Sequence, residues 1–218
     1  MTTPSQPPRP VRRDGLPRIE LPRKRLLFVA SGGISVTALP EWIMLVRVRY
    51  GWSVRVCLTR SAETLVSRTA LAAVTQAPVA GPDWDTSAGV VPHKELAEWA
   101  DLLVVAPATT NFIAKCAAGM ADSLALTTVI CSEAPVLFAP AVPARAMARA
   151  SVRRNLELLE QDGHHVVPCE PARSAHDGTT VEAGMPSLPG ILRHAAQVLS
   201  PHVPSPAEGK GDGGLRTA

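Results

Sequence analysis

Aromatic side chains are scarce in this sequence, at 4% of its 218 residues. A platform that stacks single-stranded nucleic acid needs exposed rings, so that class is disfavoured. Metal-binding patterns are missing too. The cysteines are Cys57, Cys116, Cys131 and Cys169. None forms a CxxC pair and no His/Cys cluster has ligand spacing, so no metal is expected. Long apolar runs are also missing. The most apolar stretch, 26–46, is interrupted by Gly32, Gly33, Pro40 and Glu41. A membrane helix would need roughly 20 apolar residues. The opening MTTPSQPPRPVRR is not followed by the apolar core of a signal peptide. GxSxG, HExxH and an ordered Ser-His-Asp set are absent, which leaves hydrolase chemistry without support. These absences lead us to expect a reduced cytoplasmic protein with no nucleic-acid or membrane partner.

What remains is an ordinary globular composition, 46% hydrophobic and 19% charged. The net charge of +3 comes largely from the arm. Residues 9–25 hold Arg9, Arg12, Arg13, Arg18, Arg23, Lys24 and Arg25 against Asp14 and Glu20. We read that basic arm as a solvated tail rather than a nucleic-acid or membrane contact. Residues 1–22 and 201–218 are rich in Pro and polar residues and are expected to be disordered. The folded domain is then 23–200, with no internal repeat.

Inside it, continuous apolar runs alternate with helical patterns. The runs lie at 25–30, 53–58, 101–106, 135–140 and 164–168. Such runs suit strands buried on both faces of a parallel sheet. Helices are expected over 35–50, 61–75, 93–99, 109–129, 144–161 and 187–200. Strand then helix, repeated, predicts a doubly wound α/β fold. Cys57, Cys116 and Cys131 lie in apolar stretches and are expected to act as small core hydrophobes.

Doubly wound sheets bind ligands outside the carboxyl ends of their strands. Four segments lie there. SGGIS, 31–35, has two glycines that let backbone N–H groups approach an anion at a helix start, but it lacks the GxGxxG and P-loop spacings. It is either a nucleotide site or a tight turn. Thr59, Arg60 and Ser61 can cap the next helix or bind phosphate. PATTNF, 107–112, sets Thr109, Thr110 and Asn111 at a strand end, as a cap or as ligand contacts. PAVPARAM follows the 135–140 strand. His93 opens the helix before the third strand. It is either structural or the group that moves a proton.

Together these pieces resemble the flavin-containing cysteine decarboxylases, which include phosphopantothenoylcysteine decarboxylases and the lantibiotic decarboxylases of the epidermin and mersacidin type. The resemblance covers 24–200. PATTNF occupies the place of the family's PASANT motif. His93 lies fourteen residues before Pro107, the spacing of the family's active-site histidine. GMADSLALTTVI, 119–130, resembles the helix beside the flavin. The resemblance implies a flavodoxin-like sheet, with FMN or FAD held where subunits meet. It also implies trimers, or dodecamers of four trimers. By position, Gly32, Gly33, Ile34, Thr59, Ser61, Thr109, Thr110, Asn111 and Ala141 would contact flavin. His93 would be catalytic, and Pro143, Arg145, Met147 and His176 would meet the substrate.

Two departures from the family pattern matter. Pro143 stands where PxMNxxMW has an asparagine that helps hold the substrate carboxylate, and proline offers neither N–H nor amide. Arg145 is the candidate replacement. Second, 170–186 lacks the cysteine of the phosphopantothenoylcysteine clamp. That segment is either a lid hinged at Gly178 and Gly184 or an exposed loop. The missing cysteine implies a precursor peptide ending in cysteine as substrate and an enethiol for aminovinyl-cysteine formation as product. The alternatives are phosphopantothenoylcysteine decarboxylase itself, a non-catalytic flavoprotein, and a flavin prenyltransferase. The last needs a phosphate site, for which only Arg60 and Arg145 stand out.

Overall fold

The computed structural model describes residues 15–87, 89–174 and 177–200. The five apolar runs form β1 (Arg25–Ala30), β2 (Ser53–Leu58), β3 (Leu102–Thr109), β4 (Val136–Ala141) and β5 (His165–Val166). They make one sheet in the order β2-β1-β3-β4-β5, with every pairing parallel. The helices are α1 (Leu39–Tyr50), α2 (Arg60–Glu63), α3 (Arg68–Thr75), α4 (Pro92–Trp99), α5 (Thr110–Ala117), α6 (Leu124–Ile130), α7 (Ala144–Met147), α8 (Ala150–Gln161) and α9 (Leu188–Val198). A two-stranded antiparallel hairpin, β6 (Glu170–Arg173) and β7 (Thr180–Gly184), precedes α9.

Side chains alternate across each strand, so the sheet serves two cores. Leu26, Phe28 and Ala30 face one, with Ile43 of α1, Leu71 of α3 and Ile191 of α9. Leu27 and Val29 face the other, with Leu96 of α4, Ile113 of α5, Val129 of α6 and Leu159 of α8. The expected doubly wound α/β fold is therefore present. α1 shows how its sequence builds one layer: Leu39, Ile43, Val46 and Tyr50 recur at helical spacing and are all buried. Truncating Phe28, fully buried at the centre, would cost about 3–5 kcal/mol. No helix of the described residues is long and apolar enough to cross a membrane.

Several sequence expectations need correction. The disorder expected over 1–22 does not extend to its last part: Leu16, Ile19 and Leu21 are buried in the core. The Tyr50 hydroxyl donates to the Pro17 carbonyl at 2.8 Å. Three apolar residues spaced among prolines and charges anchor a segment whose average composition is polar. Residues 1–14 and 201–218 lie outside the described residues. Three expected helices are broken. The 61–75 helix stops at Glu63 and restarts behind Ser67, whose side chain caps Ala70 N. The 109–129 helix ends near Gly119, at φ +67, and α6 starts behind the Ser123 cap. The 144–161 helix breaks at Arg149, whose backbone is extended. The third strand runs on to Thr109, with an irregular register between Val105 and Ala108. Cys57 and Cys116 are buried as expected, but Cys131 is exposed beyond the end of α6.

Candidate functional site

In the order 2-1-3 the chain leaves β1 toward one side of the sheet and returns from β2 to the other. The loops diverge above β1 and β3, and that switch point opens a crevice at the strands' carboxyl ends. Ser31, buried directly after β1, joins the two strands. Its N–H and hydroxyl both donate to the Pro107 carbonyl, at 3.1 and 2.7 Å. Its Oγ accepts the Thr109 N–H at 2.9 Å and lies 3.0 Å from Thr109 Oγ1. The Thr109 hydroxyl is thus engaged with Ser31 and does not cap α5. The first-turn N–H groups of α5 keep their donors and the positive end of the helix dipole toward the crevice.

The two glycines after Ser31 are required by close approach. A Cβ on Gly32 would lie 2.3 Å from Ser61 Cβ and 3.1 Å from its carbonyl carbon. A Cβ on Gly33 would lie 3.2 Å from Pro107 Cβ. The ends of β1, β2 and β3 therefore meet in one bare-backbone cradle. Ala141 pairs with Thr109 across β3 and β4 and borders it. Ile34 is 53% exposed at the start of the short 3-10 turn Ile34–Ala38. Thr110 and Asn111 open α5. Thr59 serves as a cap, its hydroxyl accepting the Ala62 N–H at 3.3 Å. Arg60 is ion-paired with Asp83 and so is not a free phosphate ligand. Ser31 and the Pro107 carbonyl are the contributors sequence reasoning left out. The signal was a lone hydroxyl directly after a buried strand.

His93 is not part of this cradle. It is the second residue of α4, and its ring meets Trp84 edge-on at 5.3 Å and 75°. Its Nδ1 is buried without a hydrogen-bond partner. The ring lines a groove of about 560 Å³ with Lys94, Ala97, Cys131 and Glu133, and none of the cradle residues borders that groove. Next to it, Trp84 against its ring and Val90 and Val91 just before it in the chain are exposed apolar side chains.

The substrate-side candidates separate as well. Pro143 precedes α7 and accepts the Ala146 and Met147 N–H groups through its carbonyl. Met147 is half-buried and packs against the core. Arg145 is exposed. His176 lies outside the described residues. Of the 170–186 segment, the described residues carry the antiparallel strands β6 and β7, with β7 packed on α7. The base of the segment is fastened by Glu170, which accepts Ser187 N at 3.0 Å, Ser187 Oγ at 2.6 Å and Arg193 at 3.0 Å. The Ser187 bonds, with Arg193, hold the Glu170 carboxyl below its usual range. A Cβ on Gly190 would lie 2.3 Å from Glu170 Oε1, so glycine makes room for this latch.

The buried thiols are inert. Burial pushes Cys57 and Cys116 up to about 12 and also raises Cys169. Among the described residues, no three His, Cys, Asp or Glu side chains gather as a metal site. The cradle fits a flavin nucleotide. It offers uncapped N–H donors for a phosphate, and a glycine surface where any side chain would intrude.

The chain is 37% identical over 146 residues to the coenzyme A biosynthesis bifunctional protein CoaBC of Escherichia coli K12, covering 66% of this chain and 36% of that protein. It is 33% identical over 195 residues to CoaBC of Bacillus subtilis 168, covering 87% and 47%. The chain thus spans between about a third and a half of the length of these relatives. The crystal structure of the FMN-dependent cysteine decarboxylase SpaF superposes with a TM-score of 0.69 at 31% identity, covering 81% of this chain and 97% of that one. The Flavoprotein family model matches residues 16–200, and the chain belongs to that family.

Proposed function

We propose that this protein is a flavin-dependent decarboxylase that removes the carboxylate of a terminal cysteine. The observation that carries this reading is the cradle at the β1–β3 switch point, built by Ser31, Gly32, Gly33 and Thr109. The likeness to SpaF supports FMN as the flavin. Gly32, Gly33 and the first turn of α5 would hold it, with Ser61 and Ala141 at its border. Bound there, the flavin supplies the oxidation of the cysteine Cα–Cβ–S unit that makes loss of carbon dioxide feasible.

The remaining work falls to the chain's own residues. With Nδ1 enclosed, Nε2 is the ring nitrogen through which His93 can take or hold a proton. The hairpin, latched by Glu170, borders the substrate side and limits the access of water. Because His93 lines a different groove from the cradle, we propose a homo-oligomer, a trimer or a dodecamer, in which His93 of one copy serves the cradle of another. The exposed apolar side chains around His93 support that assembly.

Two substrates are in view. The CoaBC relatives support phosphopantothenoylcysteine. The absence of cysteine from 170–186 supports a peptide ending in cysteine. Assaying both side by side with one flavin-loaded preparation decides between them. His93→Asn should lower carbon dioxide release by about 10²–10⁴-fold while the visible flavin spectrum persists. Full activity in that variant, or a colourless protein that binds no flavin, would overturn the reading.

A further inference from the structure

The segment 144–154, ARAMARASVRR, holds Arg145, Arg149, Arg153 and Arg154 and no acidic residue. All four arginines are exposed. Elsewhere in the fold, five arginines sit against carboxylates, Arg23 with Asp101, Arg55 with Glu95, Arg60 with Asp83, Arg68 with Glu63 and Arg193 with Glu170, while Arg47 and Arg173 are held by carbonyl groups. Among the described residues, none of the four in 144–154 has an ion pair. Arg153 donates to the Ala148 carbonyl at 2.6 Å, which bends it back toward the start of α8. Arg149 and Arg153 carry their charge at the start of α8, beside the positive end of that helix's dipole, which is unfavourable unless an anion settles there.

The position of the arginine row is equally specific. The row begins two residues after Pro143, at the carboxyl end of β4. α7, which carries Arg145, packs against β7 of the hairpin, and α8 packs against α5, whose first turn lines the cradle. The unneutralised charge therefore borders the substrate side of the site. One guanidinium fork suffices for one carboxylate. Arg145 can take the carboxylate that Pro143 cannot. Arg149, just before α8, and Arg153, in its first turn, then remain, with Arg154 beside them.

We infer that Arg149, Arg153 and Arg154 recognise a second anionic group of the substrate, remote from the carboxylate that is lost. This rests on the decarboxylase reading and adds what the substrate must carry. The required chemistry is an oxyanion, which a phosphate monoester and an acidic side chain share.

Matched pairs of probes separate these sources. One pair is phosphopantothenoylcysteine and pantothenoylcysteine. The other is a tetrapeptide of three glutamates and a C-terminal cysteine, and its glutamine counterpart. Binding to the flavin-loaded protein is read by equilibrium titration, and turnover by kcat and KM. The anionic member of one pair should bind about tenfold more tightly than its neutral partner. That preference should shrink with added salt. The double substitution Arg149→Gln/Arg153→Gln should remove it, and Arg149→Lys/Arg153→Lys should restore part of it. A preference within the first pair assigns the anion to phosphate, and within the second to carboxylates. Equal affinity within both pairs, or equal weakening of anionic and neutral probes by the glutamine substitutions, overturns the inference. Anion-selective binding without turnover of any probe would instead sink the decarboxylase reading and, with it, the assignment of the anion to a substrate, leaving only an anion-binding site at these arginines.

Discussion

The two edges of the sheet are built on opposite terms. At the amino edge a buried charge is answered by its neighbours. Asp101 is almost wholly buried, with 3% of its side chain exposed. It accepts Arg23 N, Arg23 Nε and Arg25 N. The Arg23 guanidinium also donates to the Glu98 and Ala100 carbonyls at the end of α4. Burial pushes the Asp101 carboxyl up, but the bonds from Arg23 and the two backbone N–H groups outweigh it and leave it lowered. At the carboxyl edge, groups are left open: the α5 start has no side-chain cap, and among the described residues Arg145, Arg149, Arg153 and Arg154 have no ion pair. The first edge stabilises the fold. The second holds unspent hydrogen bonds and charge for a ligand, as a binding site must.

Substitutions at each edge test that contrast. After the His93 effect given above, the next largest is at Gly32. Gly32→Ala forces a methyl against Ser61 and its backbone, at a cost of up to about 3 kcal/mol. The purified variant should lose its flavin absorbance. If it keeps full absorbance and the wild-type flavin affinity, the cradle is misplaced. Asp101→Ala acts on the other edge. It strands Arg23 and two backbone donors, and should cost about 2 kcal/mol, which lowers the melting temperature by roughly 4–8 °C. Flavin affinity should stay put, and a fall in affinity would mean the edges are coupled.

The smallest effect is one of pH. Burial lowers the pKa of His164 and of His194, in each case with a further push from His165. The unfolded chain, with imidazoles near 6.5, then binds more protons than the folded one below that pH. Stability from these two residues is complete above about pH 6.5 and is lost as pH falls through their lowered values. Urea midpoints should therefore rise from pH 5 to pH 7, and the rise should shrink in His164→Gln/His194→Gln. Asp101 and Glu170 act lower. Their folded values are depressed, so their contribution is present above about pH 4 and is lost on further acidification. A profile flat between pH 5 and 7 would show that the histidines are solvated.

Much of the fold was legible because buried parallel strands carry continuous apolar runs, as in RLLFVA and SVRVCL, which need no partner to be recognised. Helix breaks were less legible. Ser67 and Ser123 cap new helices inside stretches that read as continuous, since a serine is tolerated in a helix and reveals its role only when its hydroxyl bonds the backbone. The buried Leu16, Ile19 and Leu21 were hidden by the prolines and arginines around them. At the site, Gly32, Gly33, Ser61 and Thr109 were found as strand-end residues. That they touch one another was not legible, because their contacts cross between strands far apart in sequence.

The sequence alone determined the alternation of strand and helix, the bare glycines after β1, the loss of an amide at Pro143 and the arginine row behind it. These follow from local composition and from which groups a residue type can offer. Tertiary structure decided the rest. It set the strand order that opens a crevice above β1 and β3. It bound Ser31 to Pro107 and Thr109, and it gave Thr59 a capping bond, Arg60 an ion pair and Met147 a place against the core. It also placed His93 at a groove apart from the cradle. Each depends on which strands become neighbours, and strand pairing is a non-local choice made by packing the whole sheet.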